Sequence, residues 1–376
     1  MGLPYRLFIR PTLKFQDSEK AHYRSLFFLK KLSAFSVSRF ALSAVYQTKH
    51  DLPVNVFGHY YKHPFGLAAG MDKKAEALLG WQAIGLSFAE IGGVTMLEQS
   101  GNPKPRMFRS DKHKALINRM GFNNPGSEKI SQTLDLHFKK HGPPKVPLWV
   151  NLGKSKLTEN SDAHTDYSTT MDRLWDYGDL FVINVSSPNT PNLRDLQNQD
   201  DLSKIIDSCM KVNENNSQTK NIPIKPILVK VAPDMSYEQL ELIVKTAIKS
   251  GCSGIVATNT TTSRVEQLDE KDAKTMAEKG GMSGLPLVDK STEFIRLIYQ
   301  MTNGNLPIVG VGGIMNAEHA WQKITAGATL LQAYSAFVFE GPSISKNIVK
   351  GLNKKLREHN LTSIEQAIGL DHKGDD

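Results

Sequence analysis

The sequence predicts an eight-stranded β/α barrel preceded by a helical extension, and three observations carry that prediction. Eight short apolar or β-branched runs recur from about residue 64 onward: FGLAAG (65–70), FAEIGGV (88–94), PLWVNLG (147–153), LFVINVS (180–186), PILVKVA (226–232), GIVATNT (254–260), PIVGVGG (307–313) and TLLQAYS (329–335). Longer amphipathic stretches separate them, which is the pattern of a parallel sheet wrapped by helices. Nearly every run also ends in glycine or a polar residue, and the strand ends of such a barrel converge on one mouth where active sites lie. Any single glycine or asparagine there can simply end a strand. Eight of them in register point to a site.

A barrel of this kind takes about 250 residues and tolerates insertions, so 376 residues fit an extension over residues 1–50 and a catalytic barrel over 51–376. Between the strands, SYEQLELIVKTAIKSG places Leu240, Ile243, Val244 and Ala247 at helical spacing before Gly251. KVNENNSQTKN (211–221) reads as a polar surface loop. SRVEQLDEKDAKTMAEKGGMSG (263–284) reads as a long connection that can border the site.

No run approaches the roughly 20 apolar residues of a spanning helix. The N-terminus lacks the continuous apolar core of a secretory signal. Two cysteines, Cys209 and Cys252, form no C-x-x-C pair and have no histidine cluster, which predicts a reducing compartment and no structural metal. The net charge of +8 is concentrated at one end: nine basic residues against Asp17 and Glu19 in the first 50. Residues 17–46 suggest two short helices broken near Ser36, with Leu26, Phe27, Leu29, Leu32 and Phe35 forming an apolar stripe beside Lys20, Arg24, Lys30, Lys31 and Arg39. Such a pair can lie in a membrane interface or pack on the barrel. It carries no base-stacking motif, so nucleic acid is not its expected partner.

The densest polar cluster, Asn184-Val185-Ser186-Ser187-Pro188-Asn189-Thr190-Pro191-Asn192-Leu193-Arg194, follows the fourth run. Its prolines restrict the backbone, and asparagine amides match the alternating C=O and N–H edge of a pyrimidine-like ring. With no histidine nearby and no G-x-S-x-G elbow, Ser187 does not read as a hydrolase nucleophile. It can abstract a proton from a carbon acidified by a carbonyl if hydride departure is coupled, with Thr190 among the relays. Ala69, Gly70, Met71, Asp72 and Lys73 combine close backbone approach with a cation. Lys230, on a strand that should be buried, can stabilise negative charge on a reduced flavin, but it needs an anionic partner to be tolerated. Gly284, Gly312, Gly313 and the amides of Tyr334 and Ser335 can cradle a phosphate or merely form turns.

These segments together resemble the class 2, quinone-dependent dihydroorotate dehydrogenases, through LAAGMDK, NPKPRMFR, INRMGFNN, NVSSPNTPNLR, VKVAPD, ATNTT, GGMSG, VGVGGI and YSAF in the family's order. The resemblance implies bound FMN, oxidation of dihydroorotate to orotate in pyrimidine synthesis, and reoxidation of the flavin by a membrane quinone. It implies Ser187 as the base and FMN contacts at Ala69, Gly70, Met71, Asp72, Lys73, Gly93, Asn151, Asn184, Lys230, Thr258, Gly284, Gly313, Tyr334 and Ser335. Substrate contacts are implied at Lys73, Asn118, Arg119, Met120, Gly121, Phe122, Asn184, Asn189, Asn259 and Thr260. Arg109 matches an arginine of the family's quinone tunnel, which the N-terminal helices form. A monomer peripheral to the cytoplasmic face of a bacterial-type inner membrane is the implied setting. Class 1 members use cysteine as the base, so Ser187 separates this chain from soluble fumarate- or NAD-linked relatives. Two departures stand out: Gly93 replaces the family's usual serine or threonine, and Leu285 replaces a frequent basic residue.

Overall fold

A computed structural model describes residues 5–266 and 270–373, and all eight expected runs are strands of one closed parallel barrel. We number them β1 (Phe65–Asp72), β2 (Ala89–Val94), β3 (Leu148–Leu152), β4 (Leu180–Asn184), β5 (Ile227–Val231), β6 (Gly254–Ala257), β7 (Ile308–Val311) and β8 (Ala328–Ala333). They pair in sequence order, and β8 closes on β1 through Leu331 opposite Phe65. Their runs are continuously apolar because both faces are covered: β3, β4, β5, β6 and β7 are buried at every position.

The two ends of the barrel differ. At the strand starts, the hairpin Val54–Val56 and His59–Tyr61 forms a floor, where Trp149 stacks on Phe88 at 4.3 Å and Tyr61 meets Phe88 edge-on. This aromatic plug leaves the strand C-termini as the accessible end. Above them sits a three-stranded antiparallel sheet of Met107–Ser110, Ala115–Asn118 and Gly281–Gly284, with Ala115–Asn118 in the centre. The sheet has no counterpart in the periodicity, because its strands are four residues each and one comes from the far end of the 263–284 connection. Residues 267–269 of that connection lie outside the described residues.

The expected surface loop at 211–221 is instead the last turns of a helix, α3 (Gln199–Lys220). Its buried face changes from Leu202, Ile205, Ile206 and Cys209 to Asn213 and Asn216. Asn213 accepts from Trp175 Nε1 (2.9 Å) and donates to the Lys225 carbonyl (2.7 Å), while Asn216 donates to Asp172 (2.7 Å). Buried amides whose donors and acceptors are met by Trp175, Lys225 and Asp172 extend the helix past the point where hydropathy alone suggests its end. The helix α4 (Tyr237–Lys249) forms as expected, opened by a Ser236–Gln239 capping box with Leu240, Ile243, Val244 and Ala247 inward.

The N-terminal pair is present as α1 (Ser18–Ser33) and α2 (Ser36–Tyr46), preceded by short helical segments Tyr5–Ile9 and Arg10–Lys14. Asp17 caps α1 through the Lys20 amide (3.0 Å), and Arg39 reaches back from α2 to the Ser33 and Ala34 carbonyls, ending α1. Leu26 is buried and Leu29 packs against Gly80, whereas Phe27, Phe28, Leu32, Phe35, Val37 and Phe40 stay about half or more exposed. Among the described residues, no helix is long and apolar enough to cross a membrane.

Candidate active site

The mouth of the barrel holds a polar cavity whose floor is an amide and carboxylate network. Glu90, fully buried on β2, accepts from Asn151 Nδ2 (2.6 Å) and from Gln332 Nε2 (2.5 Å). Asn184 Nδ2 donates to Asn151 Oδ1 (2.9 Å), and Asn259 Nδ2 donates to Asn184 Oδ1 (3.2 Å). Lys230 stands opposite Asn184 in the register and faces the cavity; its ammonium makes no hydrogen bond among the described residues. Burial pushes its pKa down, and the Glu90 carboxylate opposes the shift. Glu90 thus supplies an opposite charge in the surroundings of Lys230, although no ion pair joins the two side chains. Sequence reasoning missed it, although a lone carboxylate within an apolar run such as FAEIGGV was a legible signal.

Ser187 follows β4 in a loop held from both sides. Its Oγ accepts from the Asn189 amide at 3.2 Å, the one hydrogen bond it makes among the described residues. Asn189 in turn donates to Asn118 Oδ1 (3.2 Å), and the Asn189 carbonyl accepts from Asn102 (3.0 Å). Asn189 Oδ1 and the Thr190 hydroxyl are buried without partners, so the expected Thr190 relay is not preformed. Behind the loop, Arg194 donates to the Ser186 carbonyl (3.3 Å) and pairs with Asp234. Asp234 also receives Lys290 Nζ (2.8 Å) and the Thr262 amide (2.7 Å), tying this loop to the one after β6. Burial acts against its charge, yet Lys290, Thr261 and Thr262 hold its carboxyl down at about 2.

On the β1 side, Lys73 Nζ donates to Asn123 Oδ1 at 2.6 Å. Burial, reinforced by Arg106, pushes its ammonium down to about 7, against the pull of Glu19. Opposite, Gly284, Gly312 and Gly313 form the far wall with Ser335, whose hydroxyl lies 2.8 Å from that of Ser283. Gly284 has φ +100°, and a Cβ there would run into the Lys114 carbonyl oxygen; Gly313 at φ +74° would run into Val288. A side chain is therefore excluded where the backbone approaches the cavity. A Cβ at Gly93 would come within 2.7 Å of the Phe122 ring, so the aromatic ring occupies the space that a serine or threonine side chain would need.

Most of the expected site residues line this one cavity: Ala69, Gly70, Lys73, Gly93, Asn118, Met120, Gly121, Phe122, Asn151, Asn184, Ser187, Asn189, Lys230, Thr258, Asn259, Thr260, Gly284, Gly313, Tyr334 and Ser335. Three do not. Asp72 is turned into the core, where it accepts from the Glu76 and Ala77 amides and from Trp81 Nε1. The Arg119 side chain points outward to Glu278 and the Pro105 carbonyl, over the Phe108 ring. Met71 faces a different cavity. Along β1 the pairing with β2 is irregular between Leu67 and Asp72 and Gly70 has φ +91°, so the side chains of this motif do not follow simple strand alternation and only some of them reach the mouth.

That second cavity, of about 620 Å³, lies between the barrel and the N-terminal helices. Its walls are mainly apolar and include Leu13, Ala21, Phe28, Leu29, Leu42, Met71, Phe337 and Val338, with Arg10, Gln16, His22, Arg24 and Arg109 among the polar residues. Arg109 is anchored by Asp111 (3.6 Å) and donates to the Leu13 carbonyl (3.4 Å). His22 stacks on Tyr334 at 6.1 Å, and burial, with Lys73 nearby, pushes its imidazole down to about 3. Met107, Leu116 and Tyr334 line both cavities and form the wall between them.

A family model described as dihydroorotate dehydrogenase matches residues 51–356. The chain belongs to the dihydroorotate dehydrogenase family. Among similar proteins, the dihydroorotate dehydrogenase (quinone) of Trichodesmium erythraeum is 44% identical over 369 residues, covering 95% of each chain. That of Crocosphaera subtropica is 46% identical over 324 residues, covering 85% of this chain and 83% of its own. A crystal structure of DHODH from Eimeria tenella in complex with ferulenol superposes with a TM-score of 0.85 at 34% identity, over 96% of each chain. The family resemblance and the barrel expected from the strand pattern therefore agree.

Proposed function

We propose that this enzyme oxidises dihydroorotate to orotate in pyrimidine synthesis, using FMN held in the polar cavity and a quinone admitted to the apolar one. The observation that carries the reading is the shared wall: a cavity into which amides and two lysines converge meets a larger, more apolar one at Met107, Leu116 and Tyr334. A polar, amide-bearing substrate and a lipid-soluble acceptor need such separate compartments. Fumarate and nicotinamide nucleotides are polar and suit the second cavity poorly.

The residues present fit FMN: side-chain-free backbone at Gly284 and Gly313, the hydroxyl of Ser335, and Lys230 with its buried counter-charge Glu90 would hold a flat anionic cofactor. When bound, FMN supplies the hydride acceptor for C6 of the substrate and passes the electrons on to the quinone. The chain supplies the rest. Asn118, Asn189 and Asn259 are fixed by the amide network, and the unpartnered Asn189 Oδ1 is an acceptor for a ligand N–H. Lys73 is placed to pair with the substrate carboxylate. Ser187 Oγ, its orientation set by the Asn189 amide, takes the proton from C5, and Thr190, whose hydroxyl bonds to no protein group, would need a bridging water to carry it onward.

The exposed Phe27, Phe28, Phe35 and Phe40, beside Arg24, Lys30 and Lys31, suit the headgroup region of an anionic membrane, from which a quinone could enter the apolar cavity. The test is anaerobic bleaching of the flavin by dihydroorotate, followed by reoxidation with a quinone, fumarate or NAD in parallel. Bleaching with rapid reoxidation by quinone alone is expected. A flavin that dihydroorotate does not bleach would overturn the assignment.

A further inference from the structure

The N-terminal helix α1 does more than wall the apolar cavity. Three of its residues face the barrel mouth: Glu19 makes a bidentate buried pair with Arg106, His22 stacks on Tyr334, and the Tyr23 hydroxyl accepts from Asn123 Nδ2 at 2.8 Å. Asn123 has one acceptor and one amino group. With the amino group engaged by Tyr23, its oxygen is turned to Lys73, which it meets at 2.6 Å. A rotated amide would instead point its N–H donors at the ammonium. The string Tyr23–Asn123–Lys73 therefore runs from the helix of the acceptor side to the cation of the substrate side.

We propose that Tyr23 is a positioning residue for dihydroorotate binding: by fixing the Asn123 amide it holds Lys73 in the polar cavity, so that α1 completes the substrate site as well as the acceptor site. The inference rests on the reading of the polar cavity given above. Lys73 is also faced by Arg106 and Lys74, which disfavour its charge, by Glu19, which favours it, and by His22, whose imidazole stays neutral. Glu19 is already matched to Arg106, which leaves the Asn123 oxygen as the one hydrogen-bond acceptor that Lys73 reaches among the described residues. Losing the oxygen's fixed orientation should make the lysine easier to deprotonate.

The experiment measures orotate binding to the FMN-loaded full-length protein by the flavin absorbance change, on either side of neutral pH. Wild type is compared with Tyr23→Phe, Asn123→Ala and the double variant, each checked for flavin content and helicity. Loss of one neutral hydrogen bond predicts about three- to tenfold weaker binding for Tyr23→Phe. The alkaline fall in affinity should begin at lower pH than in wild type. Asn123→Ala should cost more, and adding Tyr23→Phe to it should cost nothing further, because Tyr23 acts through Asn123. Unchanged affinity and pH profile in Tyr23→Phe, or an equal loss in both backgrounds, would overturn the inference alone. Wild-type protein that binds no orotate would overturn the cavity reading and this inference together.

Discussion

The polar and apolar cavities share a wall but are built in opposite ways. The polar cavity takes its residues from the ends of eight strands, and its amides are cross-bonded through Glu90, Asn151, Asn184 and Asn259. The apolar cavity takes much of its wall from α1, α2 and the segment before them, and α2 buries no residue at all. One is fixed by the barrel itself. The other is bounded by helices held at their edges, by Leu26 packing, Leu29 against Gly80, and the Glu19–Arg106 pair. Precise hydrogen bonding to a polar ring needs the first arrangement. A lipid-soluble acceptor that makes few directional contacts, as proposed above, needs only the second.

The comparison breaks most sharply at Ser187. Ser187→Ala should keep its flavin yet lose dihydroorotate oxidation by about 10²–10⁴-fold, the usual contribution of a positioned base, as measured by stopped-flow bleaching. Near-normal bleaching would remove Ser187 from the chemistry. Glu90→Leu attacks the frame instead. It leaves the Asn151 and Gln332 amides without an acceptor and Lys230 without its carboxylate, which should cost on the order of 2–5 kcal/mol and lower the thermal midpoint and flavin retention together. An unchanged melting curve would mean that the network contributes little rigidity.

The apolar side should respond in the complementary manner. Leu42→Trp, which fills space in that cavity, should raise the KM for quinone by about tenfold through steric loss while bleaching by dihydroorotate stays as in wild type. Equal effects on both half-reactions would show that the compartments are not separable there. The smallest effect concerns Asp234. Its folded pKa of about 2 lies below the ordinary carboxylate value, so its stabilisation is complete above about pH 4 and is lost as pH falls through about 2. Asp234→Asn should therefore flatten acid unfolding in that window and leave neutral kinetics nearly intact. An unaltered acid transition would mean that the Arg194–Asp234–Lys290 tie does not hold the Ser187 loop in the native state.

Much of the polar cavity was legible because barrel topology turns strand ends into neighbours. Once the eight runs were identified, Asn151, Asn184, Lys230, Thr258 and Gly313 had to meet, however far apart they lie in the chain. Glu90 is equally legible as a lone carboxylate within an apolar run. Asp72 and Arg119 show the limit of motif reading, since a contiguous stretch presents its side chains to several directions and only some reach the cavity. The helical identity of residues 211–220 depended on Asn213 and Asn216 finding Trp175, Lys225 and Asp172, partners that no local pattern reveals.

By itself, then, the sequence determined the barrel, the two N-terminal helices and the family, because hydrophobic period and the order of motifs are local quantities. Only the tertiary structure decided that Glu90 balances Lys230, that Phe122 takes the space beside Gly93, and that Tyr23 reaches Lys73 through Asn123. Each of these relates residues distant in sequence. Packing, and the need of every buried polar group for a partner, selects such contacts after the elements have formed.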